Sequence, residues 1–134
     1  MASQTASDVI TGAHRRLNLI SEVEELSAAA LAAGLVSLNE MMHGFATKGI
    51  AYAHSDLGAT DPVNMHDGLI DSLKWVFARK LADEGYGVAL TAQQLVPMAN
   101  AFSTLQAAYF MRRRSPVDAA LRPGGGGFNF TTGR

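Results

Sequence analysis

Residues 21–48 read SEVEELSAAALAAGLVSLNEMMHGFATK and contain no proline. Apolar side chains recur there at intervals of four, three, four and three residues, at Leu31, Leu35, Leu38, Met42 and Phe45. This spacing places them on one face of an α-helix. Because such a face must be covered by other elements, the stretch predicts a helical domain built around it.

The limits of this helix are marked by local signals. Ser21, with Glu24 three residues later, fits a capping box and predicts a helix over residues 22–47; Ser27 is the alternative cap. Gly49 follows the last periodic residue and predicts a left-handed stop. Gly34 lies inside the helix, where it favours the close approach of a neighbouring helix.

Three further segments have helical periodicity. The first is predicted over residues 8–19, with Ser7 as its cap, and its apolar stripe comprises Val9, Ile10, Ala13 and Leu17. The third starts either after Asn64 or at the pair His66–Asp67, and Gly85 and Gly87 end it. Its apolar stripe comprises Leu69, Leu73, Val76, Phe77 and Lys80 or Leu81, with Ile70 and Trp75 on the flanks.

The fourth helix is predicted from a cap at Thr91 to about residue 113, with a bend at Pro97. Its apolar stripe comprises Leu95, Met98, Phe102, Leu105 and Tyr109. The fold class is therefore all-α, a bundle of four main helices. Residues 49–64 form a long loop between the second and third helices, where an extended edge could form a hairpin or pair with another subunit.

The chain changes character after residue 114. Four glycines at 124–127 precede Phe128 and Phe130, which predicts a flexible C-terminal arm over 115–134 beside a helical domain over 1–114. Aromatic side chains on a glycine tether favour docking onto a partner protein. The run Arg112, Arg113, Arg114 either complements the carbonyl end of the fourth helix or contacts an acidic partner or nucleic acid.

Composition excludes several classes. Eleven basic and twelve acidic residues give a net charge of −1, which argues against a nucleic-acid reader. Charged residues make up only 17%, which favours a surface hidden by self-association or an alanine-rich sequence. The absence of cysteine excludes disulfides and thiolate metal sites. We expect no signal peptide, no membrane span and synthesis in a cytoplasm.

The histidines do not form a recognisable metal motif. A Glu-x-x-His spacing occurs once, at Glu40 and His43, whereas a di-iron bundle needs it on two helices. His66 and Asp67, near Asp71, could hold a cation, but a helix cap is the favoured interpretation. No Gly-x-Ser-x-Gly, P-loop or dinucleotide motif is present. We therefore predict no enzyme activity, catalytic residue, metal or cofactor.

An ordered set of short motifs resembles a known family. The set comprises LNEMM at 38–42, Phe45, Gly49, RLNL at 16–19, LIDSL at 69–73 and ARKLA at 78–82 before Tyr86–Gly87. It is similar to the head-to-tail adaptor proteins of tailed phages, in particular the tail accessory factors (head-completion, packaged-DNA-stabilising proteins) of short-tailed phages. The likeness covers about residues 8–114.

The resemblance implies a virion protein at the head–tail junction. Such a protein forms a ring of about twelve subunits below the portal, extends the DNA channel without sequence recognition and carries the tail nozzle or tube. It implies that the arm reaches the portal, through Arg112, Arg113, Arg114, Arg122, Phe128 and Phe130. It also implies that the loop contacts a subunit or the tail, through Tyr52, His54, Asp56 and Asp61.

The rival hypothesis is a small helical DNA-binding protein, such as a terminase-like packaging subunit. It requires a basic face and salt-sensitive DNA affinity. Outside the 112–114 run, the candidates are Arg15, Arg16, Arg79 and Lys80, which are spread over different helices.

Overall fold

The structure, a computed structural model, describes residues 4–84 and 88–110. It contains the helices α1 (Ala6–Arg16), α2 (Ala28–His43), α3 (Asp67–Asp83) and α4 (Ala92–Ala108), and a 3₁₀ helix (Gly44–Lys48) follows α2. The predicted all-α bundle of four helices with a long connection between the second and third is confirmed. The extended pairing within the described ranges consists of two isolated bridges, Thr5 with Pro62 and Ile50 with Phe110.

Helix α3 packs against both α1 and α4, and α2 packs mainly against α1. The predicted stripe of α1 is fully buried, as are Leu38, Met42 and Phe45 of the central stretch. In α3 the buried residues are Ile70, Leu73, Phe77, Ala78 and Leu81, so Ile70 lies at the centre of the stripe rather than on its flank. In α4 they are Met98, Ala101 and Leu105, while Leu95 remains 38% exposed.

Helix α1 begins earlier and ends earlier than predicted. Thr5, not Ser7, is the cap: its side chain accepts from the Asp8 backbone, and the Asp8 carboxylate accepts from the Thr5 backbone. This reciprocal box satisfies two N-terminal donors, which Ser7 alone would not do. The C-cap is Leu17, and the next residue, Asn18, has a positive φ of 57°. The helix therefore ends at Arg16, three residues before the predicted end at Leu19.

Helix α2 starts at the alternative cap, Ser27, so the prediction of a start at Ser21 is wrong. The Ser21 backbone does donate to the Glu24 carboxylate at 3.0 Å, but the segment forms only a turn. Its one apolar residue before Leu26, Val23, is 91% exposed. A helical turn there would bury little apolar area, whereas the Ser27 hydroxyl accepts from Ala30 where the buried pattern begins.

At its C-terminal end, the central stretch changes from an α-helix to a 3₁₀ helix. The α-helix ends at His43, four residues short of the predicted limit, and the 3₁₀ helix carries the chain to Gly49. Gly49 has φ 79°, so the predicted left-handed stop is confirmed. Gly34 also has the predicted role, because a Cβ there would lie 2.7 Å from Ile10 Cγ2 of α1.

The caps of the last two helices resolve the remaining alternatives. His66, not Asn64, caps α3: its Nδ1 accepts from the Gly68 backbone at 3.1 Å. Thr91 caps α4, as predicted, and the structure adds a capping box with Gln94. Helix α4 ends at Ala108 instead of about residue 113, because Tyr109 leaves helical geometry and its carbonyl accepts from the Ala51 backbone at 2.8 Å.

Several predictions lie outside the described residues. They are the stop at Gly85 and Gly87, the domain boundary at 114, and the arm with its proposed portal contacts Arg112, Arg113, Arg114, Arg122, Phe128 and Phe130. Over the ranges 4–84 and 88–110, none of the helices combines the length and hydropathy needed to cross a bilayer.

Candidate functional site

The loop between α2 and α3 is attached to the bundle at both ends. At its start Ile50 is buried, and the Ala51 backbone donates to Tyr109 at the end of α4. At its far end the Val63 backbone donates to Gln4 at 2.9 Å, and the Ala6 backbone donates to Asp61 at 3.0 Å. The loop therefore presents a defined surface, although it has no hairpin within the described chain.

Asn39 of α2 holds the middle of this loop. Its Oδ1 accepts from the Leu57 backbone at 2.9 Å, and its Nδ2 donates to the Leu57 carbonyl at 3.1 Å. The same Oδ1 lies 2.9 Å from Nε2 of His54. Because Oδ1 can only accept, the hydrogen on His54 sits on Nε2 and its Nδ1 carries a lone pair.

Two histidines and one carboxylate meet beside Asn39; we call this group the His43–His54–Asp56 cluster. His43 Nε2 lies 2.7 Å from Asp56 Oδ1, and the two imidazole rings meet edge to face with centroids 4.6 Å apart. One potential ligand atom from each of the three side chains lies within 4.8 Å of the others. The sequence prediction placed His54 and Asp56 at a contact surface but did not connect them with His43.

Local contacts shift the pKa values of the cluster. The hydrogen bond from His43 lowers the pKa of the Asp56 carboxyl. Burial lowers the pKa of His54, and the nearby His43 lowers it further, against a smaller opposing effect of Asp56. At neutral pH this favours an ionised Asp56 and a neutral His54, the protonation states in which both groups can bind a cation.

The other two loop residues predicted as contacts have different surroundings. Tyr52 packs edge to face on Tyr109, with ring centroids 5.4 Å apart, and also lies beside His54. Burial raises the pKa of Tyr52. Asp61 does not join the cluster: its carboxylate accepts from the Gly58 backbone at 2.7 Å and closes a separate turn. The structure therefore gathers three of the four predicted loop residues.

A second surface feature is the outer face of α2, which comprises the exposed residues Ala28, Ala29, Ala32, Ala33 and Val36. Val36 is 60% exposed, and residues 28–37 contain no charged side chain. The opposite side of the same helix is buried at Gly34, Leu38 and Met42. A helical segment that is apolar on all sides is normally covered on all sides, whereas the described residues leave this outer face exposed.

An open cleft of about 610 Å³ lies between the end of α2 and the helices α3 and α4. Its lining includes the apolar side chains of Met41, Met98 and Phe102 as well as charged side chains. Glu84, which also lines the cleft, accepts a hydrogen bond from Ser37 of α2 at 2.8 Å. Together with the outer face of α2, the cleft gives the domain apolar surface that one chain leaves open.

The described basic residues are largely engaged within the chain. Arg16 forms an ion pair with Asp71 and lies over the Trp75 ring, with 5.2 Å from Cζ to the centroid. On α3, Arg79 pairs with Asp83 at 3.4 Å and Lys80 with Glu84 at 2.8 Å. Because each of these basic side chains lies beside an acidic one, the described part of α3 presents no continuous basic face.

No protein-family model matches the chain, and a search of curated proteins finds no match either. The functional interpretation therefore depends on the residues themselves and on their arrangement.

Proposed function

We propose that the protein is a structural adaptor of a phage virion, a ring-forming subunit that sits below the portal at the head–tail junction. The observation that carries the proposal is the outer face of α2, an exposed and uncharged helical surface on a domain with few charges. Exposing apolar surface to water is unfavourable in free energy, and contact with a neighbouring protein surface removes that exposure. In a ring, the neighbour is another copy of the chain.

The motif that carries the family resemblance contains both buried core residues and a residue that holds the long loop, and both support this proposal. Leu38, Met42 and Phe45 are buried and hold the fold together. Asn39, within the same run, fastens the long loop to α2 by three hydrogen bonds. The motif therefore combines core positions with a position that shapes the surface proposed to contact a neighbouring subunit or the tail.

The remaining roles are carried over from the resemblance. The arm, together with the arginine run that precedes it, would bind the portal through Arg112, Arg113, Arg114, Arg122, Phe128 and Phe130, while DNA passes through the ring without sequence recognition. The loop surface, with Tyr52, His54, Asp56 and Asp61, would contact a subunit or the tail nozzle or tube. A ring of about twelve copies would then retain packaged DNA and support the tail.

The pairing of basic residues disfavours the DNA-binding alternative. Arg16, Arg79 and Lys80 each have an acidic partner within the chain, so binding phosphates would require breaking those pairs or sharing them. A terminase-like subunit would instead bind duplex DNA with an affinity that falls steeply as salt rises.

The experiment compares the full chain with a variant that ends at residue 114, each mixed with the portal protein encoded in the same phage genome. We expect the two to have the same helical circular dichroism, and only the full chain to co-sediment with portal. Equal binding by the shortened chain would overturn the assignment of portal docking to the arm. Failure of the full chain to bind portal, together with salt-sensitive binding to duplex DNA, would favour the packaging subunit.

If the ring assembles only on the portal protein, the isolated chain should not form a ring by itself. We expect the purified chain to be monomeric in dilute solution, because the outer face of α2 is built largely from alanine and offers little area per contact. Light scattering measures this directly. A stable closed ring in the absence of portal would contradict the proposed order of assembly.

A further inference from the structure

The His43–His54–Asp56 cluster has a composition and placement that the adaptor role does not require. Its members lie at two places in the chain, with Asp56 13 positions after His43. His43 is the last residue of α2, and the other two belong to the loop. The side chains of His43 and Asp56 are 54% and 81% exposed, so an ion from solvent reaches them without any opening of the fold.

We propose that His43, His54 and Asp56 bind one divalent transition-metal ion of the zinc class. Two imidazole nitrogens and one carboxylate oxygen are ligands that Zn²⁺ accepts in proteins, and three protein ligands leave one tetrahedral position for water or another donor. The same nitrogen ligands make Mg²⁺ and Ca²⁺ poor occupants, because those ions prefer a shell made of oxygen.

Asn39 prepares one of the ligands. By accepting from His54 Nε2 it leaves Nδ1 as the lone-pair nitrogen of that ring. A hydrogen bond to the second ring nitrogen is the usual way in which proteins orient a metal-binding histidine. Asn39 is itself fixed by its paired hydrogen bonds with Leu57, so the orientation of the His54 ring is tied to the backbone.

The contact between His43 and Asp56 supplies the other two ligands. A hydrogen now lies between His43 Nε2 and Asp56 Oδ1, which are 2.7 Å apart. To bind a metal ion, His43 would offer Nε2 and Asp56 would offer Oδ1, so the hydrogen between these atoms has to leave. A neutral His43 ring would then carry its hydrogen on Nδ1, whereas an imidazolium ring would release one proton to solvent; the carboxylate stays ionised in both cases.

The bound ion would join the end of α2 to the middle of the loop. Asn39 already links these segments at Leu57, and the metal would add a second link through His54 and Asp56. The loop surface would then be held in one conformation. This inference is independent of the adaptor role, since it needs only the single chain.

The test titrates the tag-free full chain with ZnCl₂ in a calorimeter, and with CoCl₂ while its visible spectrum is recorded. We expect saturation at one ion per chain and the d–d absorption of tetrahedral Co²⁺. His54→Ala and Asp56→Asn should each abolish both signals. His66→Asn is the matched control, because it removes an imidazole outside the cluster and retains a side chain that can cap α3.

Asn39 provides a second arm that separates metal binding from folding. Asn39→Ala should weaken Zn²⁺ binding about 10- to 100-fold, whereas Asn39→Asp keeps an acceptor for His54 and should bind more tightly than Asn39→Ala. The proposal is overturned if the wild-type chain shows no saturable binding. It is equally overturned if His54→Ala and Asp56→Asn, folded by circular dichroism, bind Zn²⁺ as the wild type does, or if His66→Asn loses the site.

Discussion

The inner side of α2 places Gly34, Leu38 and Met42 in the core, while its outer face leaves Ala33 and Val36 in solvent. Both sides are apolar, and they belong to the same 16-residue helix. The inner side is accounted for by the folding of one chain, because α1 lies against it at Gly34. The outer face has no such partner among the described residues, and a neighbouring copy in the proposed ring would supply one. The comparison predicts that substitutions on the inner side change stability, whereas those on the outer face change association.

The largest effect is expected for Leu38→Ala. Leu38 is fully buried, so the substitution removes apolar contacts and leaves a cavity, and the free energy of unfolding should fall by about 2–5 kcal/mol. Urea denaturation followed by circular dichroism measures the change. Val36→Ala on the outer face is the matched control and should stay within about 0.5 kcal/mol of the wild type. Equal losses for the two variants would remove the distinction between the faces.

A smaller loss is expected for Gly34→Ala. The new Cβ would meet Ile10 Cγ2 at 2.7 Å, and such overpacking typically costs about 1–3 kcal/mol. A gain in helix propensity of about 1 kcal/mol offsets part of this cost. Gly44→Ala is the control, since it has φ −75° and no neighbour within 4 Å of the added carbon. Thermal unfolding should rank the control at or above the wild type and Gly34→Ala below it.

The pH dependence should come partly from His14, a buried residue of α1. Burial lowers the pKa of His14, so the unfolded chain binds more protons than the folded one just below the ordinary histidine pKa of about 6.5. Protonation of His14 therefore costs no stability well above about pH 6.5, and the free energy of unfolding falls as the pH is lowered from there toward the pKa of His14 in the folded chain. One group limits the slope to about 1.4 kcal/mol per pH unit.

Chemical denaturation at about pH 8 and about pH 5.5 measures this effect, on either side of the ordinary histidine pKa. His14→Gln should show a smaller difference between the two conditions than the wild type does. An unchanged difference would assign the pH dependence to other groups, with His54, whose pKa burial also lowers, as the first to examine.

Much of the helical frame could be predicted because its signals are local. The stripe of α1, the cap at Thr91 and the stop at Gly49 each depend on residues a few positions apart. The start of α2 could not be settled in this way. Ser21 and Ser27 both have capping chemistry, and the choice depends on whether the next turn buries apolar side chains against the rest of the bundle.

The grouping of His43, His54 and Asp56 was missed for a related reason. His43 ends a helix, whereas His54 and Asp56 lie in a loop without periodicity, so no fixed sequence spacing connects them. Their meeting depends on the hydrogen bonds from Asn39 to Leu57, which are long-range contacts. The available signal was modest: one histidine in the last turn of a helix, and a histidine and an aspartate within the loop that follows.

The outer face of α2 should tolerate charge in the isolated chain. Val36 is 60% exposed, so Val36→Glu should change the free energy of unfolding by less than about 0.5 kcal/mol. In a ring, however, the same carboxylate would be buried against a neighbouring copy without a partner, which is strongly unfavourable. The substitution therefore separates folding from assembly.

Assembly through the outer face of α2 can be tested by electron microscopy of portal particles incubated with the wild-type chain or with Val36→Glu. We expect a closed ring of added subunits on portal with the wild type, and only scattered or incomplete occupancy with Val36→Glu. This expectation would be contradicted if Val36→Glu, folded as stably as the wild type, completed the ring equally well.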